Sequence, residues 1–309
     1  MTTLLYSHPA CIEHDPGSMH PECPDRLRSV LAGLEEEAYH YLHREEAPKI
    51  DIGMVEAVHK PYYVEHIIEA APKEGRVYLD PDTALSGGSI EAALRASGAA
   101  VAAVDAVVRG EGKNAFCAVR PPGHHAESGQ AMGFCLFNSA AIAAVHALAA
   151  HGMARAAVID FDVHHGNGTQ HSFEKDAHLF YGSSHQFPAY PGTGQASETG
   201  TAGNVVNVPL APGAGSTEFR AAYEKTILPA LEEFDPDILI ISAGFDAHAR
   251  DPLAQLRVQT EDYGWVTERL LEVAKDCCDG RVVSLLEGGY DLTALRQSVQ
   301  AHVSALLAA

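Results

Sequence analysis

Ala154-Arg-Ala-Ala-Val-Ile-Asp160-Phe-Asp162-Val-His164-His165-Gly-Asn167-Gly-Thr-Gln-His171 decides how the chain is read. Ala156 to Ile159 is a short apolar run, the pattern of a parallel strand buried on both faces. It runs straight into two aspartates, two histidines and a Gly-Asn-Gly turn. In a strand that is ending, residues two apart point the same way, so Asp160, Asp162 and His164 share one side. Open α/β sheets bind ligands at that carboxyl edge. Four polar, metal-capable side chains directly after a core strand are costly to bury without a metal or hydrogen-bond partners. The plainer reading, a solvated strand end, leaves that density unexplained.

Outward from this stretch, strands and helices alternate. Strands are expected at Leu4–Ser7, Ala115–Val119, Ala177–Tyr181, Val205–Val208, Asp237–Ile241 and Val282–Leu286, and Val77–Leu79 is a short segment before the turn Asp80-Pro81-Asp82-Thr83. Between them lie helical patterns. One opens at Pro24-Asp25, and one spans Val55–Ala70 with a break near Pro61. Ser89–Val108 follows, with Ser89 as N-cap and Gly110 as its stop, then Ala140–Ala150 after Asn138. Glu218–Phe234, Thr260–Lys275 and Leu295–Leu307 complete the set. The alternation predicts an α/β fold, a mostly parallel sheet with helices on both faces. No linker or repeat divides the chain, so residues 1–309 are expected to form a single domain.

Composition narrows the function. The chain has 309 residues and a formal net charge of −20. That balance disfavours nucleic acid, whose binders carry basic patches. It suits a cationic substrate such as a lysine-rich tail or a polyamine, and it equally serves solubility. No apolar run reaches 18 residues, so no membrane span is expected. The start lacks a basic region and an apolar stretch, so no signal peptide is expected. The six cysteines, at 11, 23, 117, 135, 277 and 278, form no C-x-x-C pair. They read as reduced thiols of a cytoplasmic protein.

Four expected strands end in chemistry: His124-His125, Asp160 to His165, Asp246 and Tyr290. In a parallel sheet these ends meet on one rim. Catalytic zinc takes three protein ligands and keeps one open position. Asp162, His164 and Asp246 can supply that set. His124 and His125 would stand beside the metal and move a proton to and from its water. Tyr290, after two glycines, can aim its hydroxyl at a polarised carbonyl. His59, His66, His146 and His151 read as ordinary surface or core histidines. So does Arg26 as an ordinary surface charge, judged by spacing alone.

The motifs Arg120-Pro-Pro-Gly-His-His125, Gly133-Phe-Cys-Leu-Phe-Asn138, Asp160 to Gln170, Pro191-Gly-Thr-Gly194, Ser242-Ala-Gly-Phe-Asp-Ala-His248 and Glu287-Gly-Gly-Tyr290 resemble a known set. They are similar to those of the zinc-dependent histone deacetylase and acetylpolyamine amidohydrolase superfamily, in its class II-like bacterial branch. The resemblance spans nearly the whole chain. It implies an arginase-like fold and hydrolysis of an N-acetyl amide, with Asp162, His164 and Asp246 on zinc. It implies His125 as general base, then acid, His124 as its electrostatic partner and Tyr290 as oxyanion donor. Asp160 would hold His124, and Asn167 would hold His125.

The same resemblance implies a structural potassium at Asp160, Asp162, His164, Ser183 and Ser184. Gly133 and Phe134 match one wall of an acyl-lysine tunnel, and Tyr190 stands where the family usually has Phe. Arg26 matches an arginine lining an acetate pocket below the zinc. Polyamine-selective relatives carry a carboxylate where this chain has Leu253, so acyl-lysine in a protein or peptide is the expected substrate. Acetylpolyamine is the alternative, with Asp80 or Asp82 as substitute carboxylates at the mouth. A manganese ureohydrolase would need more aspartate ligands, and a non-catalytic acetyl-lysine binder would not need the His pair and Tyr290.

Overall fold

The computed structural model describes residues 2–309. Its strands are β1 (Thr3–Ser7), β2 (His43–Glu46), β3 (Arg76–Tyr78), β4 (Ala84–Ser86), β5 (Asn114–Cys117), β6 (Ala156–Asp160), β7 (Leu179–Gln186), β8 (Val205–Leu210), β9 (Ile238–Ala243) and β10 (Val282–Leu286). Eight of them form one sheet in the order β2-β1-β5-β10-β9-β6-β7-β8, and β3-β4 form a separate hairpin. Every pairing in the large sheet is parallel; only β3-β4 is antiparallel. The sequence led to a mostly parallel sheet, and the antiparallel share is confined to that hairpin.

The layering follows from burial. β6, β9 and β10 are buried at every position, so both of their faces need cover. Helices Ser89–Val108 and Ser139–His151 pack on each other and against β5, β6, β9 and β10. Helices Pro24–Leu34, Thr260–Cys278 and Leu292–Ala308 pack together as a second group. Val158 and Ile159 are fully buried between them, each contributing about 1.5–3 kcal/mol. The fold is a single domain with one extended apolar core and a smaller second cluster around Tyr63, Ile67, Leu85 and Phe137. Among the described residues no helix is long and apolar enough to cross a membrane.

Several boundaries differ from expectation for identifiable reasons. β2 is wholly exposed and reads His-Arg-Glu-Glu, so it carries no apolar pattern; it is a charged edge strand, a usual guard against edge pairing. Pro61 begins a new helix, Pro61–Ala70, after the short turn Ile52–Val55, as its missing N–H favours. Ser89 is the first residue of its helix and Gly88 is the cap. The Ser89 hydroxyl instead accepts from Ser86 N–H and bonds His14 Nδ1. The helical stretch 216–234 carries a π-turn at Tyr223–Ile227.

Candidate active site

β6 ends at Asp160 and its polar residues fold over the sheet's carboxyl edge. Asp162 N–H donates to Asp160 Oδ1 at 3.1 Å, and His164 N–H to Asp162 Oδ1 at 2.9 Å. Two neighbouring strand ends clamp this turn. Beyond β9, Asp246 Oδ1 accepts from Val163 N–H at 2.8 Å. Beyond β10, Gly288 N–H donates to Asp162 Oδ2 at 2.9 Å. A side chain at Gly288 would collide with the Asp162 and Asp246 carboxylates, so only glycine admits this approach.

Asp162, His164 and Asp246 thereby converge, with ligand atoms all within 4.8 Å of one another. His164 Nδ1 lies 3.1 Å from Asp162 Oδ1 and 3.2 Å from Asp246 Oδ2. The second approach lacks hydrogen-bond geometry, which leaves Asp246 Oδ2 buried without a partner. Buried carboxylates demand compensation. They draw a proton onto His164: burial opposes its charge, but Asp162 and Asp246 outweigh burial and push it up to about 10. A divalent cation would answer the orphaned Asp246 Oδ2 and the crowding of two buried carboxylates beside His164. Two carboxylates and one imidazole with room for a fourth ligand fit zinc in a catalytic setting.

Beside this cluster stand two imidazoles in unlike states. His124 Nδ1–H donates to Asp160 Oδ2 at 2.9 Å. Burial works against its charge, yet the Asp160 and Asp162 carboxylates hold it well above the usual histidine range. His125 Nδ1–H donates instead to the neutral Asn167 Oδ1 at 2.8 Å. Burial and then the charge on His124 hold it well below that range. One imidazole is thus kept cationic and the other keeps a free Nε2 lone pair.

Asn167 is itself oriented by a residue that the motif reading passed over. Its Nδ2–H donates to Glu127 Oε1 at 2.8 Å. A carboxylate can only accept, so the amide nitrogen must face Glu127 and the oxygen must face His125. Glu287 was also passed over as a side chain. It is buried beneath the dyad and accepts from Gly123 N–H, His124 N–H and Ser242 Oγ–H. Burial raises its carboxyl to about 7.

A cavity of about 220 Å³ leads to these groups. His125, His164 and Tyr290 line its inner part, with Gly133, Phe134 and Tyr190 as walls. Tyr190 and Leu253 are 39% and 38% exposed and form the rim, with Asp82 beside them. Gly133 has φ of 56°, and a Cβ there would collide with the His125 ring. The Tyr290 ring lies edge-on to Phe134. Burial pushes its hydroxyl up, against the pull of Arg26, so it stays protonated as a donor. Asp251 accepts from both Leu253 N–H and Tyr290 N–H, tying the rim loop to the Tyr290 loop.

Arg26 departs from the surface-charge reading that spacing gave. It is fully buried. It donates to Glu22 Oε1 at 3.0 Å, to the Gly289 carbonyl at 2.6 Å and to the Glu287 carbonyl at 2.5 Å. Its guanidinium also stacks 4.8 Å from the Tyr290 ring centre. Glu22 in turn takes Arg120. Ser183 and Ser184 lie on β7 beside β6, Ser183 directly opposite Asp160. The Ser183 hydroxyl bonds His185 Nδ1 and the Ser184 hydroxyl donates to Tyr223. His59 is a buried structural residue: Asn138 N–H donates to its Nε2, and its Nδ1–H donates to the Glu127 carbonyl.

A family model described as the histone deacetylase domain matches residues 20–306. The chain is 39% identical to a histone deacetylase-like amidohydrolase of Pseudomonas aeruginosa, covering 87% of this chain and 71% of that protein. It is 38% identical to a probable deacetylase of Archaeoglobus fulgidus, covering 94% and 82%. The solved structure of the HDA15 HD domain superposes with a TM-score of 0.94 at 36% identity, covering 99% of this chain and 88% of that one.

Proposed function

The chain belongs to the histone deacetylase family, and from that premise we propose that it removes acetyl groups from lysine side chains of proteins or peptides. The observation that carries the reading is the arrangement at the inner end of one cavity. A metal-ready Asp162–His164–Asp246 cluster, two differently poised imidazoles and the Tyr290 hydroxyl stand together there. A zinc ion held by those three residues would act as a Lewis acid on the acetyl carbonyl and lower the pKa of a water molecule. His125 Nε2, kept unprotonated, takes the water's proton as it adds to the carbonyl. Tyr290 donates to the oxygen that gains charge. His124, held cationic by Asp160, stabilises the same charge, and His125 then returns its proton to the departing lysine amine.

Gly133, Phe134 and Tyr190 flank the lysine methylenes in this reading, and Leu253 covers them at the rim. Arg26 fixes the backbone on which Tyr290 stands. Asp160, Asp162, His164, Ser183 and Ser184 would hold a structural potassium through their oxygens. Six free cysteines are in keeping with a cytoplasmic setting. Acetylpolyamine remains a second substrate reading because Asp82 lies on the cavity and makes no salt bridge among the described residues. Comparing kcat/KM for an acetyl-lysine peptide and N8-acetylspermidine decides between them. The expected result favours the peptide, because a distal ammonium against Leu253 would lose water without gaining a partner. A clear preference for the spermidine transfers the substrate assignment to Asp82.

A further inference from the structure

Asp105, His146 and His151 form a second convergence of ligand atoms, on the other side of the sheet from the cavity. Asp105 lies near the end of helix Ser89–Val108, which leads into the start of β5. His146 and His151 lie in the last turns of helix Ser139–His151, which leads into the start of β6. The cavity lies beyond the strands' carboxyl ends, so this cluster occupies the opposite rim. Both imidazole Nε2 atoms approach the same oxygen, Asp105 Oδ1, at 2.7 Å each. The three ligand atoms lie within 4.8 Å of one another. The side chains are 11–30% exposed, so solutes reach them.

We propose that Asp105, His146 and His151 bind a second divalent transition-metal ion of the zinc class, pinning the two helices together away from the catalytic centre. The donor chemistry suits it: imidazole and carboxylate select zinc, nickel and copper over calcium and magnesium. Zinc bonds of about 2.0–2.2 Å in a tetrahedron put ligand atoms about 3.3 Å apart. The present 2.7 Å contacts need open by only about half an ångström, within side-chain rotation. In the metal-free cluster each Nε2–H donates to the carboxylate. Binding moves each imidazole to its Nδ1–H tautomer, so the Nε2 lone pairs face the ion and no net proton is lost. Solvent completes the coordination. Arg109, 3.9 Å from Asp105 Oδ2, is the nearby cation, and Glu111 already engages it at 2.7 and 3.1 Å.

The test is equilibrium dialysis of the full chain against Zn2+, with Co2+ substitution and its visible spectrum as a second readout. Wild type should hold one equivalent more than His151→Gln or Asp105→Asn. Asp105→Asn keeps an acceptor for the imidazole N–H groups but is a poor ligand, so it separates metal binding from a hydrogen-bonded staple. Added Zn2+ should raise the Tm of wild type more than that of either variant, as binding to the native state requires. Equal stoichiometry in wild type and both variants overturns the proposal. An extra equivalent that disappears in Asp246→Ala but survives in Asp105→Asn overturns it too, since that ion belongs to the cavity.

Discussion

The two rims of the sheet each gather two kinds of group, imidazole and carboxylate, and treat them differently. At the carboxyl rim the carboxylates are buried, held by backbone N–H groups from neighbouring strand ends, and one oxygen, Asp246 Oδ2, is left without a partner. At the opposite rim Asp105 is partly exposed, stands on a helix, and both imidazoles already satisfy it. The first rim concentrates electrostatic cost in a rigid frame, the form expected where charge must develop during a reaction. The second is self-sufficient, and an ion there can only add stability. Similar residues thus serve chemistry or cohesion according to burial and to what holds them.

Removing a ligand from each rim breaks that comparison most severely if it is wrong. Asp246→Ala should abolish both stoichiometric zinc at the cavity and turnover, whereas Asp105→Asn should leave turnover at the wild-type level. Metal analysis alongside a fluorogenic acetyl-lysine assay reads both, and an Asp246→Ala protein with full zinc and full activity would falsify the ligand assignment. Next in size, Tyr290→Phe should lower kcat by about 10²–10³-fold with little change in KM, the usual loss for one oxyanion donor. Wild-type kcat in that variant removes Tyr290 from the reaction.

A smaller effect probes the outer layer of the same rim. Glu127→Ala frees the Asn167 amide to turn, so kcat should fall about 10-fold while KM holds, and Glu127→Gln should recover part of the loss. Steady-state kinetics on the two variants checks this; identical behaviour of both would show that the amide needs no such support. The smallest effect is on stability in acid. Burial disfavours charge on Glu22, but Arg120, His14 and Arg26 outweigh it and hold its carboxyl well below the usual range. A depressed carboxyl stabilises the fold above its unfolded value of about 4.3 and loses that contribution as pH falls through the folded value. Denaturant melts between neutral pH and about pH 3 should therefore decline below that value, and Glu22→Gln should flatten the decline. Asp105→Asn should flatten it less, because Asp105 is partly in water.

The sequence revealed what its patterns encode. Buried strands announce themselves as apolar runs, so β6, β9 and β10 were legible, and the polar residues directly after them pointed to the rim. β2 was not legible, because an exposed edge strand of four polar residues has no periodicity to read. The convergence of Asp162, His164 and Asp246 followed from the strand ends that carry them, and the pairing of His124 with Asp160 and of His125 with Asn167 from the family resemblance. The side-chain roles of Glu127, Glu287 and Glu22 could not be read in this way, because they turn on Asn167, Gly123 and Arg120, which lie 40, 164 and 98 residues away in the chain. Arg26 misled by spacing because its burial depends on the carbonyls of Glu287 and Gly289, 261 and 263 residues later in the chain. His146 and His151 looked ordinary until Asp105, on another helix, was placed between them.

β10 lies between β5 and β9, near the middle of the sheet, yet it is the last strand in the chain. A ribosome therefore releases the left part of the sheet, β2-β1-β5 with His124 and His125 behind it, and the right part, β9-β6-β7-β8 with Asp162, His164 and Asp246, before the strand that joins them. Until then each part presents an unpaired inner edge, the kind of surface that invites stray pairing. His124 and His125 thus come from one side of β10 and Asp162, His164 and Asp246 from the other, and Tyr290, just beyond β10, is translated after them all. The order of synthesis therefore leaves two open edges for a molecular chaperone to shield until Val282–Leu286 is made and closes the sheet.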